Sequence, residues 1–136
     1  MNRREFQNLA LQRLADAQAL FDAKRYAGSY YLAGYAIECA LKARIARQTK
    51  QHDFPPRDAA KHYTHDITKL LDSSGLAAKF KAEADNNPNF RANWTLVKDW
   101  TEEARYQTRR RLEAEALLTA VTDSQSGVLR WLRKYW

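Results

Sequence analysis

Apolar side chains recur every three or four positions along most of the chain, which is the period of an α-helix with one buried face. The clearest example spans positions 26 to 48 and combines two neighbouring stripes. The first consists of Tyr30, Gly34, Ile37, Leu41 and Ile45, and the second of Ala33, Ala36, Ala40 and Ala43. Because one stripe can seat a neighbouring helix and the small-residue stripe lets a second backbone come close, we expect this helix to lie at the centre of the fold.

Other helices are predicted on both sides of the central one. A first helix is predicted from Asn2 to about Ala23, with Asn2 as its N-cap and Glu5 completing a capping box. The break that follows is short, so the first two helices should form an antiparallel hairpin. A long loop after position 48 contains tandem prolines, which exclude a continuing helix. Beyond it, helices are predicted over 64–74, 76–84, 88–101 and from about 112 onward, with a weak point at 124–127. The first of these has Thr64 or Asp66 near its start and Gly75 in the position of a helix stop. The pattern predicts an all-α antiparallel bundle of four to five helices.

Composition supports one domain over residues 1–136, since a chain of this length can bury a single sizeable core. The single cysteine, Cys39, cannot form an internal disulfide and lies among alanines, so it is predicted to be a buried thiol. The first residues are polar and charged, and no stretch of some eighteen apolar residues occurs. We therefore expect a cytoplasmic protein with no membrane span.

The excess of basic residues favours a polyanionic partner. Lys and Arg total 23 against 16 acidic residues, for a net charge of +7. A basic run with one interleaved aromatic ring would suit phosphate contacts and base stacking, although solvated helix faces explain it equally well. This run consists of Arg105, Tyr106, Arg109, Arg110 and Arg111.

Four segments, in this order, resemble the HEPN domain family of small helical bundles. They are AGYAIECALKARI in the second helix, His65-Asp66 followed by Leu70 and Leu71, Trp100 followed by Ala104-Arg105-Tyr106, and the final helix. The resemblance implies a bundle that is often a homodimer and acts with RNA or with a nucleotidyltransferase partner, as in toxin–antitoxin systems. Its catalytic members resemble metal-independent endoribonucleases, whose signature is an arginine followed a few residues later by a histidine in the late part of the bundle.

That signature is missing after Arg105, where no histidine follows. One formal match, Arg57 to His62, lies in the proline-containing loop instead. The absence favours a binding module for RNA, a nucleotide or a nucleotidyltransferase over an enzyme. Two alternatives stay open: an endoribonuclease with a relocated pair, for which Arg57, His62 and His65 are the candidate catalytic residues, and a purely structural dimerisation module.

The resemblance also singles out Glu38, Lys42, Arg105 and Tyr106. The candidate binding residues are these four and the three later arginines of the basic run. A carboxylate on a mostly apolar helix is tolerated only when it is paired. We therefore predict that Glu38 and Arg105 form a buried ion pair, called the clamp. The other interpretation is that the same charges line a nucleotide pocket. No histidine or cysteine spacing matches a structural zinc motif, and no metal or cofactor is expected.

Overall fold

The computed structural model describes residues 1–49 and 63–136, and this part of the chain is mainly helical with no β-strand. Its seven α-helices are α1 (Arg3–Asp22), α2 (Tyr26–Arg47), α3 (Ile67–Ser73), α4 (Ala77–Asn86), α5 (Pro88–Lys98), α6 (Arg111–Thr122) and α7 (Val128–Leu132), and a 3-10 helix covers Glu102–Tyr106. The prediction of an all-α fold is confirmed. The described residues form more helices than the four to five expected, because turns divide the second half of the chain into short helices.

The beginning of α1 has the predicted cap. The Asn2 side chain accepts a hydrogen bond from the Glu5 amide at 2.9 Å, and the Glu5 carboxylate accepts one from the Asn2 amide at 2.7 Å. This reciprocal pair satisfies two amide groups that a helix start leaves without an intrahelical partner. The helix then packs along α2 after a short turn, so the predicted hairpin is confirmed.

Helix α2 lies at the centre, as its two stripes predicted. It contacts α1, α3, α6, α7 and the 3-10 helix. The alanine stripe is completely buried, and so are Ile37 and Leu41 on the larger stripe. The small side chains let these neighbours approach α2 closely, and the helix therefore positions most of the other elements.

One close approach in α2 depends on a glycine. A Cβ atom placed on Gly34 would lie 2.3 Å from two ring atoms of Trp100, so the indole occupies the space that any side chain would need. Trp100 is only 1% exposed, and Tyr31 stacks on it with ring centroids 6.0 Å apart. This contact fixes the segment that leads into the 3-10 helix against α2.

Two predicted interruptions are present in the second half. Gly75 follows α3 with φ +72°, a left-handed conformation that glycine adopts without steric cost. Residues 123–127 separate α6 from α7 and include the predicted weak point, and the Asp123 carboxylate accepts a hydrogen bond from the Ser126 amide at 2.6 Å within that turn. The single long final helix implied by the resemblance is therefore divided into two.

Cys39 is buried in α2 as predicted. Burial is the main cause that raises the pKa of its thiol to about 12, and the adjacent Glu38 carboxylate raises it further. The thiol is thus protonated at neutral pH, which makes it a packing residue rather than a nucleophile.

In residues 1–49 and 63–136, no helix combines the length and apolarity needed to cross a lipid bilayer.

Candidate functional site

The candidate residues from the sequence fall into two adjoining regions. A cleft lies between the beginning of α3 and the 3-10 helix, with His65 in its wall and Glu38 behind it. A basic segment, defined here as residues 105–111 and called the arginine segment, runs from the 3-10 helix into α6. Arg57 and His62 lie outside the residues that the structure describes.

Glu38 is a buried carboxylate held by two basic side chains. It is 2% exposed, and its Oε2 atom lies 3.2 Å from Lys42 Nζ, one turn further along α2. Its two oxygens also lie 3.0 and 3.1 Å from Nδ1 of His65. Since a buried carboxylate needs compensating partners, these two contacts explain how the apolar centre of the bundle accommodates it.

The predicted clamp between Glu38 and Arg105 is wrong. The guanidinium of Arg105 is exposed and stacks over the ring of Tyr106, 4.8 Å from its centroid. Hydrogen bonds to Tyr106 and, more weakly, to Tyr31 raise the pKa of Arg105. His65 contacts Glu38 instead of Arg105, because the beginning of α3 packs against α2.

His65 joins two carboxylates through opposite nitrogens of its ring. Nδ1 faces Glu38, and Nε2 lies 3.3 Å from Oε2 of Glu102 on the 3-10 helix. About half of the His65 side chain is exposed in the cleft. An imidazole oriented by a buried carboxylate is a common arrangement for acid–base chemistry, and it also forms a bridge between two elements.

The neighbouring Asp66 has the role of a helix cap. Its carboxylate accepts hydrogen bonds from the amides of Thr68 and Lys69 at 2.9 and 3.1 Å and from the Thr68 hydroxyl at 2.6 Å. The Thr68 hydroxyl is the first cause that lowers the pKa of Asp66, and the backbone amides add to it. The interpretation of this residue as a helix start is confirmed.

The cleft has a volume of about 300 Å³ and is rich in acidic groups. It is lined by Thr64, His65, Asp66, Thr68, Lys98, Trp100, Thr101, Glu102 and Glu103. The indole N–H of Trp100 is buried and finds no acceptor in the described part of the chain. The sequence analysis did not select Glu102 or Glu103 for this site, because their contact with the beginning of α3 arises only through the tertiary fold.

The arginine segment combines one structural arginine with three exposed ones. Arg109 stacks over the Tyr30 ring at 4.1 Å and binds the Glu113 carboxylate at 3.1 Å, with only 24% of its side chain exposed. Burial raises the pKa of Tyr30. Arg109 is therefore built into the fold and is the least accessible of the four for a ligand.

The other three arginines face solvent. The side chains of Arg110 and Arg111 are 89% and 65% exposed, and Arg105 lies beside Tyr106, which is 73% exposed. Arg110 and Arg111 begin α6, so their charges add to the positive end of its helix dipole. Glu113 offsets part of this charge by accepting a hydrogen bond from the Arg110 amide at 3.2 Å. The surface is cationic and carries one accessible aromatic ring.

An apolar groove of about 350 Å³ lies next to this segment, between α5 and α6. Leu96 and Leu112 in its wall are 43% and 76% exposed, and both are among the most exposed large hydrophobic side chains of the described residues. Asp99, Arg109 and Glu113 supply charges of both signs at its edge. The sequence analysis did not select this groove, because it forms only where α5 packs against α6 in the tertiary fold.

Residues 1–49 and 63–136 contain no group of three or more histidine, cysteine or acidic side chains placed to hold a metal ion. Comparisons of the chain with protein-family models, with curated proteins and with solved structures found no match. The cleft and the arginine segment are therefore the two candidate sites.

Proposed function

We propose that the protein is a HEPN-like accessory module, of the kind found in toxin–antitoxin systems, that binds RNA or a nucleotide through the arginine segment. The observation that carries the proposal is the exposure of Arg105, Arg110 and Arg111 around the accessible ring of Tyr106. Guanidinium groups bind phosphate oxygens with two parallel hydrogen bonds, and an exposed aromatic ring can stack on a base. The net charge of +7 favours the approach of a polyanion.

Binding should depend on two arginines and on salt. In the double variant Arg110→Gln/Arg111→Gln we expect affinity for a fluorescein-labelled, single-stranded oligouridylate to fall about tenfold at low salt. The slope of log affinity against log salt should become shallower by about 1.4, because each lost phosphate contact removes about 0.7 for single strands. Fluorescence polarisation over a salt series measures both quantities.

The matched control is Arg4→Gln/Arg91→Gln, which removes the same charge from exposed positions on α1 and α5. We expect the control to keep most of the affinity of the wild type. Equal weakening in both double variants would show that only the net charge attracts the RNA, and the arginine segment would then not be the site.

A second candidate function is the metal-independent endoribonuclease, and the observation that favours it is the His65 ring oriented by Glu38 within the cleft. It ranks second because Nε2, the nitrogen facing Glu102, already has a carboxylate partner. The same oligonucleotide incubated with protein in excess chelator separates the two candidates. RNA that stays intact with wild-type protein counts against the enzyme, whereas cutting that is lost in His65→Gln supports it.

For the partner we propose a second copy of the chain, seated on the groove between α5 and α6. Support comes from the exposed Leu96 and Leu112 and from the mixed charges at the edge, which can pair across a two-fold axis. Leu112→Glu should then reduce the mass in solution from two chains to one, as measured by light scattering. A nucleotidyltransferase seated on the same groove is the alternative, and a wild type that is monomeric alone would favour it.

A further inference from the structure

The cleft and the arginine segment carry opposite charges although they meet on one 3-10 helix. Asp66, Glu102 and Glu103 line the cleft, with Lys98 as its one lysine. The guanidiniums of the arginine segment lie at the other end of the same 3-10 helix and beyond it. A phosphate group is therefore repelled by the cleft and attracted to the segment. The part of a ligand that enters the cleft should be uncharged and should offer N–H donors to carboxylates.

One carboxylate of the cleft lacks a partner, and so does the N–H donor of one residue that lines it. Glu103 is exposed and has no ion-pair or hydrogen-bond partner in the described part of the chain. The indole N–H of Trp100, which is 1% exposed, is a buried donor with no acceptor there. A buried donor without a partner costs free energy, so a ligand with one acceptor and several donors gains affinity in this cleft.

We propose that the cleft receives an unstacked guanine base of single-stranded RNA while the arginine segment holds the neighbouring phosphates, an inference that rests on the proposed function. The Watson–Crick edge of guanine offers two N–H donor groups and the O6 acceptor. Carboxylates accept from such donors, and Trp100, which lines the cleft, has a buried N–H donor that lacks an acceptor. Adenine, cytosine and uracil each offer a single donor group on that edge, so they match the acidic cleft less well.

Space and continuity agree with this assignment. The cleft volume of about 300 Å³ lies at the small end of the range for small-molecule sites, as a single base requires. Along a 3-10 helix the step from Glu102 to Arg105 is about 6 Å, so cleft and segment are within reach of one nucleotide. Tyr31 also connects them, since it stacks on Trp100 and accepts a hydrogen bond from Arg105.

The test compares three labelled RNA hexamers: all uridine, uridine with one central guanosine, and uridine with one central inosine, which lacks the 2-amino donor. For the wild type we expect the guanosine hexamer to bind about tenfold more tightly than the all-uridine one. The inosine hexamer should lose most of that preference. Glu103→Gln should bind all three alike, whereas the control Asp72→Asn, with the same charge change at an exposed position of α3, should keep the preference.

The outcomes separate this inference from the function on which it rests. If the wild type binds all three hexamers equally, phosphate binding stands and the guanine cleft is overturned. If Glu103→Gln keeps the preference for guanosine, the base lies elsewhere and the cleft is again overturned. If the wild type binds none of the hexamers, the proposed function itself fails, and the inference fails with it.

Discussion

Gly34→Ala should destabilise the protein by about 3 kcal/mol, at the top of the usual range for an overpacked core. The added Cβ would lie 2.3 to 2.4 Å from three ring atoms of Trp100, closer than any real contact. The indole has little freedom to move, because it is buried and stacked on Tyr31. Thermal unfolding followed by circular dichroism should show a midpoint lowered by roughly 10 °C for a chain of this size.

Gly28→Ala is the matched control on the same helix. There the added Cβ would meet Cδ1 of Leu20 at 3.1 Å, the end of a flexible side chain that is only partly buried. Alanine also favours helix over glycine by up to about 1 kcal/mol. We expect this variant to be as stable as the wild type or slightly more stable. Equal stability of the two alanine variants would contradict the packing of Trp100 on α2.

The sequence predicted the elements whose signals are local. The stripes of α2 identified the central helix, and the Asn2 and Glu5 pair identified the beginning of α1. Gly75 marked the end of α3, since its left-handed conformation suits glycine. Each of these features depends on residues within a few positions of one another, so periodicity and capping rules were sufficient to find them.

The partner of Glu38 could not be found in the same way. Burial on α2 indicated that the carboxylate must be paired, but Lys42, Arg105 and His65 all satisfied that requirement on chemical grounds. The choice depends on how the chain returns to α2 after a long connection, and helical spacing carries no information on that path. The orphan N–H of Trp100 and the contact between His65 and Glu102 are tertiary features of the same kind.

Glu38→Gln should cost about 3 kcal/mol of stability at neutral pH, the lower end of the range for breaking a buried charge pair. The amide keeps the shape of the side chain but removes the negative charge that faces Lys42 at 3.2 Å and His65 at 3.0 Å. The value lies at the lower end because half of the His65 side chain reaches solvent, where water competes for its contact with the carboxylate. Unfolding in urea measures the loss.

Two double-mutant cycles identify the partner of this carboxylate. Combining Glu38→Gln with His65→Gln should cost less than the sum of the single changes, by about 1 to 2 kcal/mol, because the two side chains are in direct contact. Combining it with Arg105→Gln should be additive within about 0.5 kcal/mol, since Arg105 is exposed and stacks on Tyr106 instead. Arg105→Gln alone should change stability by less than about 0.5 kcal/mol, as exposed substitutions usually do. Coupling of Glu38 with Arg105 and none with His65 would contradict the observed contacts and would support the Glu38–Arg105 ion pair instead. The bridge that His65 forms between α2 and the 3-10 helix would then be lost, and so would the second candidate function.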